Sequence, residues 1–346
     1  MIFSKIWKKL NKTAKVIPLI VILLLVFYAL TVVSIWPDNY FWIDRNNASM
    51  PVWVRGNIDS GVFIVFNHGG PGSSGTMESI IEVNPGNGQI DHPSPLKVFE
   101  DTYAMVYWDQ RHSGMSKGNA DPNDSRPEDF GEDLALVIHE LKKRYDVKKL
   151  FLIGQSWGHT VATSYLTYVD QWKENQANVD GYIDYKGVHS QDIVYQEARR
   201  RILNYTEKEI SEKRNVSYWQ EVHDFYQNHA KLTKPSDFLI HDDYANRVMG
   251  VSISLFDRIY AGVKASFCSP FNGWTHYSNF RATMSAEKFL AWVVSDNSFE
   301  QTIKRIKIPT LLIYGEKDLI APAEVGQAIY DEIGTESQDK QNTNRS

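Results

Sequence analysis

The sequence predicts an α/β fold: a mostly parallel sheet covered by helices, with a helical module inserted late in the chain and an apolar anchor at its N-terminus. Three observations predict it. Short, near-continuous apolar runs alternate with a helix-periodic stretch, as strands buried on both faces do. Gln191 to Asp296 is charged, aromatic and helix-like, with no comparable run. Val16 to Trp36 carries no charge at all.

At about 1.5 Å per residue, Val16–Trp36 would span roughly the 30 Å hydrocarbon core of a bilayer. Lys5, Lys8, Lys9, Lys12 and Lys15 precede it with no acidic residue. The positive-inside rule then makes 1–15 a basic cytoplasmic tail and 16–36 a single-pass transmembrane anchor, with everything that follows extracytoplasmic. A cleaved signal peptide is the competing reading, but only Val32-Val33-Ser34 comes near a small-x-small cleavage site.

The first part of the core, 40–188, holds the strand-length runs Val62–Phe66, Tyr103–Trp108, Leu150–Ile153 and Tyr182–Val188. Leu134, Val137, Ile138 and Leu141 recur at helical spacing, which predicts a helix over Glu132–Tyr145. Residues 189–300 are too long for a loop and read as a helical cap over the C-terminal edge of the sheet, where open α/β sheets bind ligands. The second part of the core, 301–333, adds the strand Ile308–Tyr314, and the polar tail 334–346 reads as disordered.

With 346 residues, 42% of them hydrophobic, the chain can bury a sizeable core. A net charge of -5, with no basic stretch in the folded part, gives no footprint for nucleic acid. Cys268 is the single cysteine, so there is no disulfide framework. His139-Glu140 lacks the second histidine of a zinc motif; neither metal nor cofactor is expected.

Two motifs carry chemistry. Gly154-Gln155-Ser156-Trp157-Gly158 fits the strand-to-helix turn G-x-S-x-G, which presents a serine hydroxyl; its context, after a strand and before a helix-like segment, makes the match specific. His68-Gly69-Gly70-Pro71-Gly72 follows an earlier strand, where an oxyanion-binding loop belongs. The backbone N–H groups of Gly70 and Trp157 are the expected donors to the oxyanion. His68 itself reads as a structural residue.

These two segments, with Trp108-Asp109-Gln110-Arg111-His112-Ser113-Gly114 between them, resemble the proline iminopeptidase group of α/β-hydrolases, serine peptidases that remove an N-terminal proline. The resemblance covers about Val52–Val188 and Ile308–Ile333. It implies Ser156 as nucleophile and Asp318, in Gly315-Glu316-Lys317-Asp318, as the triad carboxylate, with Glu316 a weaker second candidate. His112 stands where the family usually has glycine, and His159 follows an otherwise familiar elbow.

The implied activity is serine-dependent release of a peptide's N-terminal residue through an acyl-enzyme, on a small peptide or other acyl substrate. An esterase or lactonase, or a non-catalytic binding protein on the same fold, are the alternatives. In this fold the histidine follows the acid, yet no histidine follows Asp318; His276 is the last. The expected reading is a missing final strand and histidine loop, hence weak activity for the chain as it stands, with His112 and His159 near the pocket as candidate substitutes.

Overall fold

A computed structural model describes residue 23 and residues 37–83, 90–91, 94–167, 170–232, 234–251, 255–295, 302–336 and 340–345. The expected tail and anchor lie outside the described residues apart from Leu23. Among the described residues no helix is long and apolar enough to cross a membrane.

The sheet consists of β1 (Tyr40–Arg45), β2 (Ala48–Gly56), β3 (Val62–Asn67), β4 (Ala104–Trp108), β5 (Lys149–Gln155), β6 (Gly181–Tyr185), β7 (Thr310–Gly315) and β8 (Lys340–Arg345). Its order is β1-β2-β4-β3-β5-β6-β7-β8, with the two-residue strand Lys117–Gly118 beside β2. The pairs from β4 to β8 are parallel, and β1 and β2 add an antiparallel margin. The β1–β2 hairpin has no counterpart in the sequence reading. It turns on Asn46-Asn47, whose φ values of 47° and 59° suit the two-residue turns that match strand twist.

The expected strands form with small shifts. The run read as Tyr182–Val188 ends at Tyr185, because Lys186 takes a left-handed φ of 47°. Helix α1 (Pro127–Arg144) starts earlier than Glu132: Pro127 suits the first turn, and the Asp129 carboxylate accepts the Arg126 N–H at 3.0 Å. Its buried face, Phe130, Leu134, Val137, Ile138 and Leu141, packs on α2 (Trp157–Thr167). Each such side chain contributes about 1.5–3 kcal/mol over its exposed state.

The tail requires a correction. Residues 340–345 are not disordered but pair in parallel with β7, Thr310 opposite Lys340 through Gly315 opposite Arg345. The final strand read as missing is thus present. Its sequence, KQNTNR, has no apolar run because an edge strand can be held by backbone hydrogen bonds alone.

After a short α3 (Trp172–Ala177) and β6, the chain leaves the sheet as α4 (Gln191–Ser211), α5 (Val216–Asn228), α6 (Pro235–Val248), α7 (Leu255–Cys268), α8 (Gly273–Met284) and α9 (Glu287–Ser295). It returns through β7 to α10 (Ala323–Glu332). Tyr195, Ala198, Ile202, Val222 and Tyr226 form a small core among these helices. Phe289, Leu290 and Val293 of α9 join the main core instead, where Phe289 meets Phe130 and Trp157 with ring centroids 6.0 and 5.8 Å away.

Candidate active site

The site is built where β3 and β5 lie side by side. Asn67, the last residue of β3, pairs with Gly154 of β5, so the loops that follow the two strands emerge together. The chain turns at Ser156 with φ 51°, a left-handed conformation that is costly for a residue with a Cβ and is found where surroundings hold it. Closeness explains both motif glycines. A Cβ on Gly158 would overlap the Asn67 carbonyl, and one on Gly154 would come within 2.8 Å of the Gly158 carbonyl and 2.9 Å of Tyr182 Oη. Ser156 heads α2, and its hydroxyl has no hydrogen-bond partner among the described residues.

Gly70, at φ 126°, lies with Ser156 and Trp157 on the wall of one cavity. The His68 segment is bolted to the elbow through Gln110. The Gln110 amide donates to the His68 carbonyl at 3.0 Å and accepts the Trp157 indole N–H at 3.0 Å. His68 is a structural residue here: Nδ1 lies 2.7 Å from the Gly69 carbonyl, and Nε2 accepts the Gln110 N–H at 3.2 Å. Burial pushes its pKa down to about 4, so the ring is neutral at ordinary pH.

The rest of the Trp108–Gly114 segment is scaffolding too. Asp109 accepts from Ser74 Oγ, Thr76 N, Thr76 Oγ1 and Met115 N at 2.7–3.0 Å, which ties down the chain just beyond the glycine loop. Arg111 makes a two-pronged bond to Asp133 of α1, at 2.6 and 2.7 Å. His112 adopts φ 60°, a conformation that suits glycine.

Neither expected substitute histidine faces the cavity. His112 Nε2 is 2.7 Å from Ser125 Oγ. His159 is fully buried beneath the elbow; Nδ1 lies 3.0 Å from Tyr182 Oη and from Asp184 Oδ2, and Nε2 lies 3.3 Å from Thr163 Oγ1. Both rings point into the scaffold because polar partners there satisfy them.

Asp318 follows β7 and uses Oδ1 to accept the N–H groups of Ile320 and Ala321 at 2.8 and 3.0 Å. It stands beside Asp242 of α6, whose pKa is raised by burial and by the charges of Asp243 and Asp318. Glu316 is exposed, and its carbonyl accepts from Arg201.

The cavity measures about 260 Å³. Its floor is Gly70, Ser156 and Trp157, and the helices above contribute mostly apolar walls, among them Val194, Phe280, Met284 and Leu290. His189, His241 and Gln191, polar side chains that sequence reasoning did not place here, also line it. His241 is bonded to Tyr226 Oη at 2.8 Å. His189 follows the end of β6, where parallel sheets place ligand-binding residues, and that position was the one available signal. Among the described residues no group of three or more His, Cys, Asp or Glu side chains could hold a metal ion.

Fold and elbow together define a protein of the α/β-hydrolase type. Its sequence resembles that of the probable aminopeptidase YbaC of Bacillus subtilis, 25% identical over 302 residues and covering 83% of each chain. A proline iminopeptidase of Neisseria meningitidis is 27% identical over 113 residues, a match of 33% of this chain and 30% of that one. No protein-family model matches the chain. Among solved structures, a candidate aryl esterase from Burkholderia cenocepacia superimposes with a TM-score of 0.52 at 15% identity, over 89% of each chain. A bromoperoxidase from Bacillus anthracis does so with a TM-score of 0.50 at 14% identity, over 88% of this chain and 90% of the other. These two likenesses establish the fold.

Proposed function

We propose that the protein is a serine hydrolase that releases the N-terminal residue of a small peptide through an acyl-enzyme on Ser156. The observation that carries this reading is the convergence of Ser156, Gly70 and Trp157 on one cavity, with Asp242 on the cavity wall. Ser156 attacks the carbonyl carbon and the backbone N–H groups of Gly70 and Trp157 stabilise the oxyanion, while Asp318, the carboxylate that the family resemblance implies, is bonded to the N–H groups of Ile320 and Ala321. The similarity to YbaC and to the proline iminopeptidase supports the substrate class.

Asp242 supports it physically. Among the carboxylates of the helical region, Glu197, Glu207, Glu209, Glu212, Glu221, Asp224, Asp242 and Asp243 are the candidates to meet a substrate ammonium. Of these, Asp242 lines the cavity. Burial and the neighbouring carboxylates destabilise its anion, and a substrate ammonium relieves both penalties at once. At about 260 Å³ the cavity is smaller than the sites that hold drug-sized ligands, and it suits one residue with a compact apolar side chain.

Two outcomes follow. A peptide with a free N-terminus is expected to be cleaved at least about tenfold faster than its acetylated counterpart, and Asp242→Asn to remove most of that preference. Equal turnover of the two peptides in the parent protein would falsify amine recognition and favour an esterase. The anchor reading gives a second outcome, since lysine bias and apolar length agree. Protease added to sealed cells is expected to digest the hydrolase domain, and protection of the domain until the bilayer is breached contradicts the proposed topology.

A further inference from the structure

We propose that His189 accepts the Ser156 proton, so that this chain works with a Ser–His pair in which the base comes from the end of β6. The inference rests on the reading of Ser156 as nucleophile. His189 is 5% exposed, and among the described residues neither of its ring nitrogens has a hydrogen-bond partner. A buried polar atom left without a partner is uncommon and calls for an explanation. The same ring lines the cavity that Ser156 lines, and the Ser156 hydroxyl likewise has no hydrogen-bond partner among the described residues.

The backbone fixes the two residues relative to each other. Val188 N–H reaches the Ser156 carbonyl at 3.5 Å on one side of His189, and on the other Ser190 caps α4 by accepting the Ile193 N–H. Beneath, His159 packs edge-on against the His189 ring with centroids 5.5 Å apart. His159 is itself occupied by Asp184, Tyr182 and Thr163, so His189 is the imidazole on the cavity wall with free nitrogens. His241, across the cavity, is tied to Tyr226. Serine–base hydrogen bonds are often long in unliganded enzymes and close up in the substrate complex.

The step balances as follows. The hydroxyl proton of Ser156 passes to a His189 nitrogen as Oγ bonds to the carbonyl carbon. Collapse of the adduct breaks the C–N bond and hands that proton to the leaving amine. Water then attacks the acyl-enzyme, gives a proton to His189, and the serine recovers one as the acid departs. Burial and the neighbouring His159 push the His189 pKa down to about 3. The ring is therefore free to accept a proton throughout the neutral range, and it is also a weak base, so turnover is slow.

The full chain, its Ser156→Ala, His189→Gln and His189→Phe variants, and the exposed-site control His139→Gln are treated with a fluorophosphonate at saturating concentration. Label on Ser156 of the parent is expected, with none on Ser156→Ala. Both His189 variants are expected to lose at least about a hundredfold in maximal labelling rate, with His139→Gln unchanged. The parent's rate is also followed from pH 5.5 to 8.5, which decides the matter even if the variants fail to fold. The titratable groups around His189 are His159 and Asp184 beneath it and His241 and Asp242 on the cavity wall. A flat profile is expected. A midpoint near 6.5, or undiminished labelling of a folded His189 variant, overturns the assignment while leaving Ser156 as nucleophile. A parent that takes no label on Ser156 overturns both.

Discussion

Ser156→Ala is expected to lower acyl-transfer turnover at least about a thousandfold, about 4 kcal/mol in barrier height, while the fold survives. The loss is large because the covalent route has no substitute. The cavity holds no other hydroxyl at the head of a helix between two candidate oxyanion donors; Thr160, which also lines it, lies a full turn along α2. A residual rate from the candidate oxyanion donors should remain. Turnover of an aminoacyl anilide and of an activated ester, read beside near-ultraviolet circular dichroism, checks both halves of the statement. A native spectrum with activity retained would move the chemistry away from the elbow.

Acid is expected to unfold the protein well before ordinary carboxylates titrate. Burial lowers the pKa of His68, His112 and His241 to about 4 and that of His189 to about 3. In the unfolded chain all four take up a proton near pH 6.5, and in the folded protein they do not until about pH 4 or below. The unfolded state therefore binds more protons between those limits. Stability is full above about pH 6.5 and is lost as pH falls toward 4, by up to about 1.4 kcal/mol per pH unit for each group. Asp109 and Asp242, whose pKa values burial raises, bind protons in the folded state and offset part of the loss. A net loss of about 3 kcal/mol or more between pH 7 and pH 5 is expected, a large share of the 5–15 kcal/mol typical of a domain. Urea titrations at the two pH values measure it, and superimposable curves would mean that the four rings are not held neutral.

Strands with apolar faces on both sides were legible, because a parallel sheet covered by helices writes its burial directly into runs such as Val62–Phe66. The elbow was legible for a different reason: Gly154 and Gly158 are demanded by backbone contact, and only glycine meets that demand. β8 was invisible, since backbone pairing leaves no trace in side-chain pattern. The β1–β2 hairpin was missed although Asn46-Asn47 is a recognisable turn signal, because Pro51 interrupts the run that follows. His112 and His159 were expected near the pocket, but their partners Ser125 and Asp184 come from other elements, and no local pattern records such contacts. The same blindness hid His189, whose ring nitrogens have no hydrogen-bond partner among the described residues.

The aromatic cluster of Phe130, Trp157 and Phe289 constrains how the cavity can be entered. Phe289 keys α9 into the same packed core as the elbow, so lifting that helix would tear apart the ring contacts that seat Trp157 itself. The helical layer is therefore not a lid that rises as one body. On the side formed by α6, Leu239 lines the cavity and is 47% exposed. The ring contacts thus tie the elbow side of the cavity to the core, apart from the more exposed α6 side.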